Sequence, residues 1–196
     1  MNYLKNAAWI WENADAKPDE HAEFFAEFDY SISDGKVYLS ISADSEYGVY
    51  LNGKFVEFGQ YPDYPHYKVY DRLEVSEYLV EGRNLLAIEA WYLGNNCSTN
   101  IDDGAGLCFS LDSERNNILT SNDKVLSRLS KVYTNYACKL ITGQLGYGYG
   151  YDSTLEDDWK TGDVSDFTTS VAVTPDKPTP SVLRPVKKLV TEEGVV

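Results

Sequence analysis

Residues with nucleophilic or metal-ligating chemistry are scarce in this chain. Of 196 residues only three are cysteine, two are histidine and one is methionine. Cys97, Cys108 and Cys138 are odd in number and follow no paired spacing, which implies neither a zinc motif nor a disulfide framework. A Cys97–Cys108 bridge stays open, but reduced thiols in a cytoplasm are the simpler reading, with Cys108 and Cys138 as small core residues. His21 and His66 have no serine or cysteine beside them in any triad wording. A Gly-x-x-x-x-Gly-Lys-Ser loop is missing. Gly146, Gly148 and Gly150 alternate with Tyr147, Tyr149 and Tyr151, but without the strand–helix setting a phosphate loop needs; a small-residue strand showing its tyrosines on one face fits better. There is no apolar run near the roughly 20 residues of a membrane helix. Met1 to Asn6 carries no apolar signal core, so secretion is not expected. Basic residues are few, 17 against 31 acidic, and the formal charge of −14 repels phosphate backbones and anionic lipid, which disfavours nucleic-acid and membrane partners.

What is present is a globular composition, 43% hydrophobic and 24% charged, in a length suited to one domain with its own core. Residues 24–30 and 37–43 alternate with period two. Val37, Leu39, Ile41 and Ala43 are expected to face inward and Tyr38, Ser40 and Ser42 outward. Further strands are expected near 47–51, 54–58, 85–92, 106–111, 118–120 and 131–141, separated by Gly, Asn and Asp clusters, with one short helix somewhere in 116–130. Asn52-Gly53 fits the two positive-φ positions of a type I′ turn, which would set Tyr50 opposite Phe55 and Val49 opposite Val56. A helical turn over Ser76 to Glu81 is expected to stop at Gly82. The fold class is therefore all-β: a jelly-roll or galactose-binding-like sandwich of two antiparallel sheets, covering residues 1–174. Pro175, Pro178, Pro180 and Pro185 make residues 175–196 an extended, linker-like tract whose Leu189 and Val190 have no evident partner.

An ordered set of segments carries a resemblance. It runs from Trp9-Ile10-Trp11 through Phe24 to Phe28, Ile41 to Asp44, Tyr50-Leu51-Asn52-Gly53-Lys54, Tyr70-Asp71 and Glu81 to Ile88. It closes with Leu140 to Tyr147, Tyr151-Asp152 and Arg184-Pro185-Val186. In this order and spacing the chain resembles the amino-terminal β-sandwich domain of bacterial α-L-rhamnosidases of glycoside hydrolase family 78. The resemblance implies a non-catalytic accessory domain followed by a catalytic (α/α)6 barrel on the same polypeptide, in an enzyme that removes terminal α-L-rhamnose with inversion. No residue here matches that barrel, so no catalytic residue carries over. Trp159, in Leu155 to Lys160, resembles the closing anchor of such sandwiches, and a tryptophan among charges packs as an anchor on physical grounds too.

Carbohydrate sites stack aromatics on the C–H face of a ring and set Asn, Asp or Gln on its hydroxyls. Two loops have that composition. One carries Tyr61, Tyr64, His66 and Tyr67; the other follows Trp91 and carries Asn95, Asn96 and Asn100. Asp102 and Asp103 add oxygen ligands that suit Ca²⁺, through which some rhamnose-binding sandwiches hold sugar, but they lack the EF-hand order. Against this, tyrosines are common on sandwich faces and asparagines in turns. The alternative to an accessory domain is thus an independent carbohydrate-binding module for a rhamnose-containing glycan. Glu156, Asp157 and Asp158 are consecutive and would not point into one cleft, so they read as a solvated loop.

Overall fold

The computed structural model describes residues 3–173 and 178–188. Fifteen strands follow in order: β1 (Ile10–Trp11), β2 (Glu20–Tyr30), β3 (Val37–Ala43), β4 (Glu46–Leu51), β5 (Lys54–Gly59), β6 (Val69–Glu74), β7 (Gly82–Tyr92), β8 (Leu107–Ser113), β9 (Asn117–Thr120), β10 (Leu126–Leu129), β11 (Leu140–Thr142), β12 (Gly146–Tyr147), β13 (Thr168–Thr169), β14 (Val171–Ala172) and β15 (Val182–Leu183). Helical structure among the described residues is confined to short 3₁₀ turns. No helix there is long and apolar enough to cross a membrane.

The strands build two large sheets. One runs β14-β1-β8-β3-β6-β15 with β9 joined to β8, the other β13-β10-β2-β7-β4-β5. Pairing is antiparallel except where β15 lies parallel to β6. Alternation decides the inner faces: Val37, Leu39, Ile41 and Ala43 meet Leu107, Phe109 and Leu111 from the first sheet, and Phe24, Val49, Leu51, Leu86 and Ile88 from the second. Ser40 and Ser42 do point outward, yet both are buried, because residues 3–9 lie over that face with Leu4 and Trp9 packed on Tyr70 and Cys108.

Several local expectations are corrected. Asn52 and Gly53 both take positive φ (52° and 77°) and Tyr50 opposes Phe55, but Val49 pairs with Glu57, not Val56, because a bulge enters the hairpin there. The turn after β6 is a 3₁₀ turn over Ser76–Tyr78 only, and Gly82 (φ 88°) opens β7 instead of capping a helix. Residues 116–130 hold β9 and β10 in place of a helix. Most of 131–141 is irregular, since its backbone is spent on contacts to β2 and to residues near Asp152. No disulfide joins the three cysteines; Cys108 is in the core but Cys138 is half-buried, its thiol pushed up to about 11 by burial and by Asp19.

Beyond Pro178 the tract returns to the sandwich. Arg184 pairs with the buried Asp71 on β6, which also accepts from the Tyr47 hydroxyl of the opposite sheet. Burial alone would raise the Asp71 carboxyl; Arg184 and Tyr47 hold it below its ordinary value. Leu189 and Val190 lie outside the described residues.

Candidate functional site

The outward face of the second sheet is covered by residues 130–167, which meet the β4–β5 hairpin at Tyr50 and Gly53 through Lys160 and Thr161. Trp159 is its anchor, buried on Phe25 and Ala87 with Phe167 tilted against it at 5.8 Å. Between cover and hairpin a cleft of about 280 Å³ remains, lined by His21, Glu23, Gly48, Tyr50, Phe55, Phe58, Glu89, Trp91, Ser130, Tyr133 and Tyr149 among others.

Period-two geometry explains the floor. His21 and Glu23 on β2 point outward between the inward Ala22 and Phe24, and β7 answers with Trp91 and Glu89 directly opposite them. Gly48 on β4 lies opposite Glu89, so the floor there has no side chain. One wall is an aromatic stack: His21 lies nearly parallel to Trp91 (5.2 Å) and to Tyr133 (4.2 Å), and Tyr149 meets Tyr133 edge-on at 5.7 Å. The other wall is the hairpin, where Tyr50 and Phe55 meet edge-on at 5.6 Å.

Buried charge holds the cover in place. The carboxylate of Asp19 accepts from Trp91 Nε1 (3.1 Å) and from the backbone N–H groups of Ala137 (2.7 Å) and Cys138 (2.6 Å). Glu23 accepts from Arg128 Nε and the Ser130 hydroxyl, both at 2.6 Å, while the same guanidinium binds Asp157 and both oxygens of Asp166. Burial pushes Glu23 up despite Ser130 and Arg128. Burial likewise lowers His21 to about 4, outweighing nearby Asp19, so the imidazole is neutral at ordinary pH. Glu89 accepts from Lys160 (2.6 Å) and Tyr50 (3.2 Å). The Tyr133 hydroxyl is pushed up to about 12 by burial and by Glu89.

Glu23 and Glu89 stand opposite each other, which invites a comparison with paired glycosidase carboxylates. Their partners argue otherwise. Each is already neutralised by a cation and a hydroxyl, so neither is placed as a free acid or base.

Of the candidate sugar-binding residues read from the sequence, only Trp91 lines this cleft. Tyr64 and Tyr67 bridge each other in an exposed turn, His66 stacks on Tyr64 at 5.8 Å, and Tyr61 lies under Arg184. The asparagines fold their own loop: Asn95 donates to Leu93, Asn100 donates to Asn95, and Asn96 accepts from the Asp102 N–H. Asp102 accepts from Tyr92 and Gly104, and Asp103 faces Lys68 at 3.5 Å. These two carboxylates therefore do not converge on a cation position. Among the described residues no group of three or more His, Cys, Asp or Glu could hold a metal ion. Asp157 is not simply solvated; it is one arm of the Arg128 clamp. Sequence reading missed His21, Glu23, Glu89, Tyr133 and Tyr149. The outward alternation of β2 and β7 was the available signal for the first three.

No protein-family model matches the chain, and no curated protein does. Solved structures do. A GH78-family rhamnosidase of Bacillus sp. GL1 superposes with TM-score 0.84 at 24% identity, over 93% of this chain and 20% of that one. The α-L-rhamnosidase of Dictyoglumus thermophilum gives 0.68 at 17% identity, over 93% and 23%. A lectin from Pleurotus ostreatus, solved in complex with GalNAc, gives 0.59 at 14% identity, over 96% and 50%. At these identities the likeness shows the fold. The chain spans about a fifth of the length of the two rhamnosidases.

Proposed function

We propose that this chain is a non-catalytic, amino-terminal β-sandwich domain of a bacterial α-L-rhamnosidase, and that it packs beside a catalytic (α/α)6 barrel on the same polypeptide. The observation that carries the reading is the 0.84 superposition on a rhamnosidase of which this fold makes up 20%. The ordered sequence resemblance from Trp9 to Pro185 supports it independently of the fold. The neutralised state of Glu23 and Glu89 supports a non-catalytic role, since hydrolysis needs an acid and a base in contrasting environments around an enclosed ring. Three cysteines without a disulfide suit a reducing compartment, so a cytoplasmic setting belongs to the proposal.

The test is turnover of a chromogenic α-L-rhamnoside by the 196-residue chain and by the longer gene product. Turnover by the longer product alone is the expected result; comparable turnover by this chain overturns it. A second reading, an independent carbohydrate-binding module, is favoured by one specific observation: the lectin sandwich superposes over 96% of this chain.

A further inference from the structure

The aromatic cleft has no part in a purely structural accessory role. We propose that it is a binding site for a single neutral pyranose ring. The inference deepens the carbohydrate-binding reading and does not depend on which enzyme the domain belongs to.

Three large aromatic residues stand exposed around one small opening: Phe55 (47%), Phe58 (55%) and Tyr149 (66%). Exposed aromatics scattered singly are ordinary, but a group of them rimming a concavity marks a binding surface. The opposite wall continues this surface inward through Tyr133, His21 and Trp91, held rigid by their mutual stacking. Flat, pre-ordered aromatic faces match the C–H face of a pyranose and lose little entropy on binding it.

The floor decides what kind of ring. Glu89 presents a carboxylate whose two oxygens have acceptor capacity left after Lys160 and Tyr50, which suits ring hydroxyls as donors. The Ser130 hydroxyl, whose proton goes to Glu23, adds an acceptor, and the Tyr133 hydroxyl a group able to accept or donate. Glu46 adds a further carboxylate, no Lys or Arg among the described residues stands on the lining, and the chain's formal charge is −14, so an anionic sugar meets no cation there. A protein anchor of purely apolar character would have to bury the Glu89–Lys160 pair without serving it. The volume, about 280 Å³, lies at the lower end for ligand pockets and suits one ring, not an oligosaccharide chain.

The chain carries its own reporter. Trp9, Trp11 and Trp159 are buried away from the cleft, and Trp91 alone among the four tryptophans lines it. Methyl glycosides of L-rhamnose, D-galactose and D-glucose, with D-glucuronate as the anionic control, are titrated into the 196-residue chain while indole emission is followed. At least one neutral glycoside is expected to give a saturable change in the millimolar range, and glucuronate none. Tyr149→Ala removes an exposed stacking face and is expected to weaken binding about 10-fold at unchanged melting temperature. Gly48→Val fills the bare floor: a Cβ there meets only Glu89 Oε2 at 3.6 Å and Tyr50 at 3.8 Å, so the strand tolerates it while the cleft closes and binding is lost. Silence with every neutral glycoside, or a response that survives both substitutions, overturns the proposal. Silence combined with protection of Trp91 from quencher only in the longer gene product would identify the cleft as a domain interface instead, and also overturns it. Sugar binding by a chain whose longer product lacks rhamnosidase turnover leaves this inference standing while the enzyme assignment fails.

Discussion

On the outward face of the β8/β3/β6 sheet, the cover is mainly apolar: residues 3–9 lay Leu4 and Trp9 over Tyr70 and Cys108, and Arg72 sits between the rings of Tyr3 and Tyr38. On the outward face of the β2/β7/β4 sheet, the cover is tied down through Asp19, Glu23 and Arg128, with Trp159 as its apolar anchor. The apolar cover closes over Tyr70 and Cys108. The polar one leaves a cleft. Apolar contact is non-directional, so a short segment can settle until its gaps close. Hydrogen bonds and ion pairs are directional, so each clamp fixes the cover at one height and leaves space where no clamp reaches. The aromatic cleft lies on the polar side; the space on the other face, beside Tyr3, Tyr38 and Arg72, is lined mainly by residues 112–117.

The comparison breaks most sharply at Arg128. Arg128→Ala leaves Glu23 buried and without its cation, which should cost about 3–5 kcal/mol, the largest loss anticipated, read from urea or thermal denaturation. If Arg128→Ala costs no more than a surface substitution, buried charge is not what holds this cover.

Acid should distinguish the two faces next. His21 is lowered from 6.5 to about 4 in the folded chain, so between those values the unfolded chain binds more protons. Stability from this group is complete above about pH 6.5 and is lost as pH falls toward 4, by about 3 kcal/mol across the window. His21→Phe keeps a ring between Trp91 and Tyr133 and should flatten that part of the stability–pH curve. A slope that persists in His21→Phe assigns it to other groups.

The apolar cover is tested by Leu4→Ala. A fully buried leucine on a short terminal segment should cost about 2–3 kcal/mol, at the low end for such truncations because the segment can settle. Its melting temperature should fall equally at pH 7 and pH 5, in contrast to the acid-sensitive face. The smallest effect belongs to the hairpin that forms the cleft's free wall. Gly53→Val forces a β-branched residue to φ 77° and brings its Cβ to 2.9 Å from Thr161, costing about 1–2 kcal/mol by denaturation. A larger loss would mean the hairpin supports the cover and is not merely its neighbour.

Much of the architecture was legible because its causes are local. Period-two alternation put Val37, Leu39 and Ile41 on the inner face, and Asn52-Gly53 announced its turn through positive φ. The failures share a cause too. In 116–141, strand, helix and loop readings were all permitted by composition. What decided was pairing with β2: Leu126 to Leu129 opposite Ala22 to Phe25, and the Asn135 side chain on the His21 N–H. The bulge at Val56 was invisible for a milder reason, since a hairpin turn sets register only next to itself.

The candidate sugar residues show the same division. Loop composition drew attention to Tyr61, Tyr64, His66, Tyr67 and the asparagines, which the fold uses as turns and rims. The cleft was assembled from residues far apart in the chain: Glu23 meets Arg128 across 105 positions and Asp19 meets Cys138 across 119. Alternation and turn chemistry are written within a few residues of each other, so strands, inner faces and the sandwich class could be read directly. Where the aromatic cleft would open depended on contacts of that separation, whose partners no local pattern specifies. Hence Trp91 could be named as a candidate from the sequence, while His21, Tyr133 and Tyr149, which make it part of a wall, came into view only once the chain had folded back over β2 and β7.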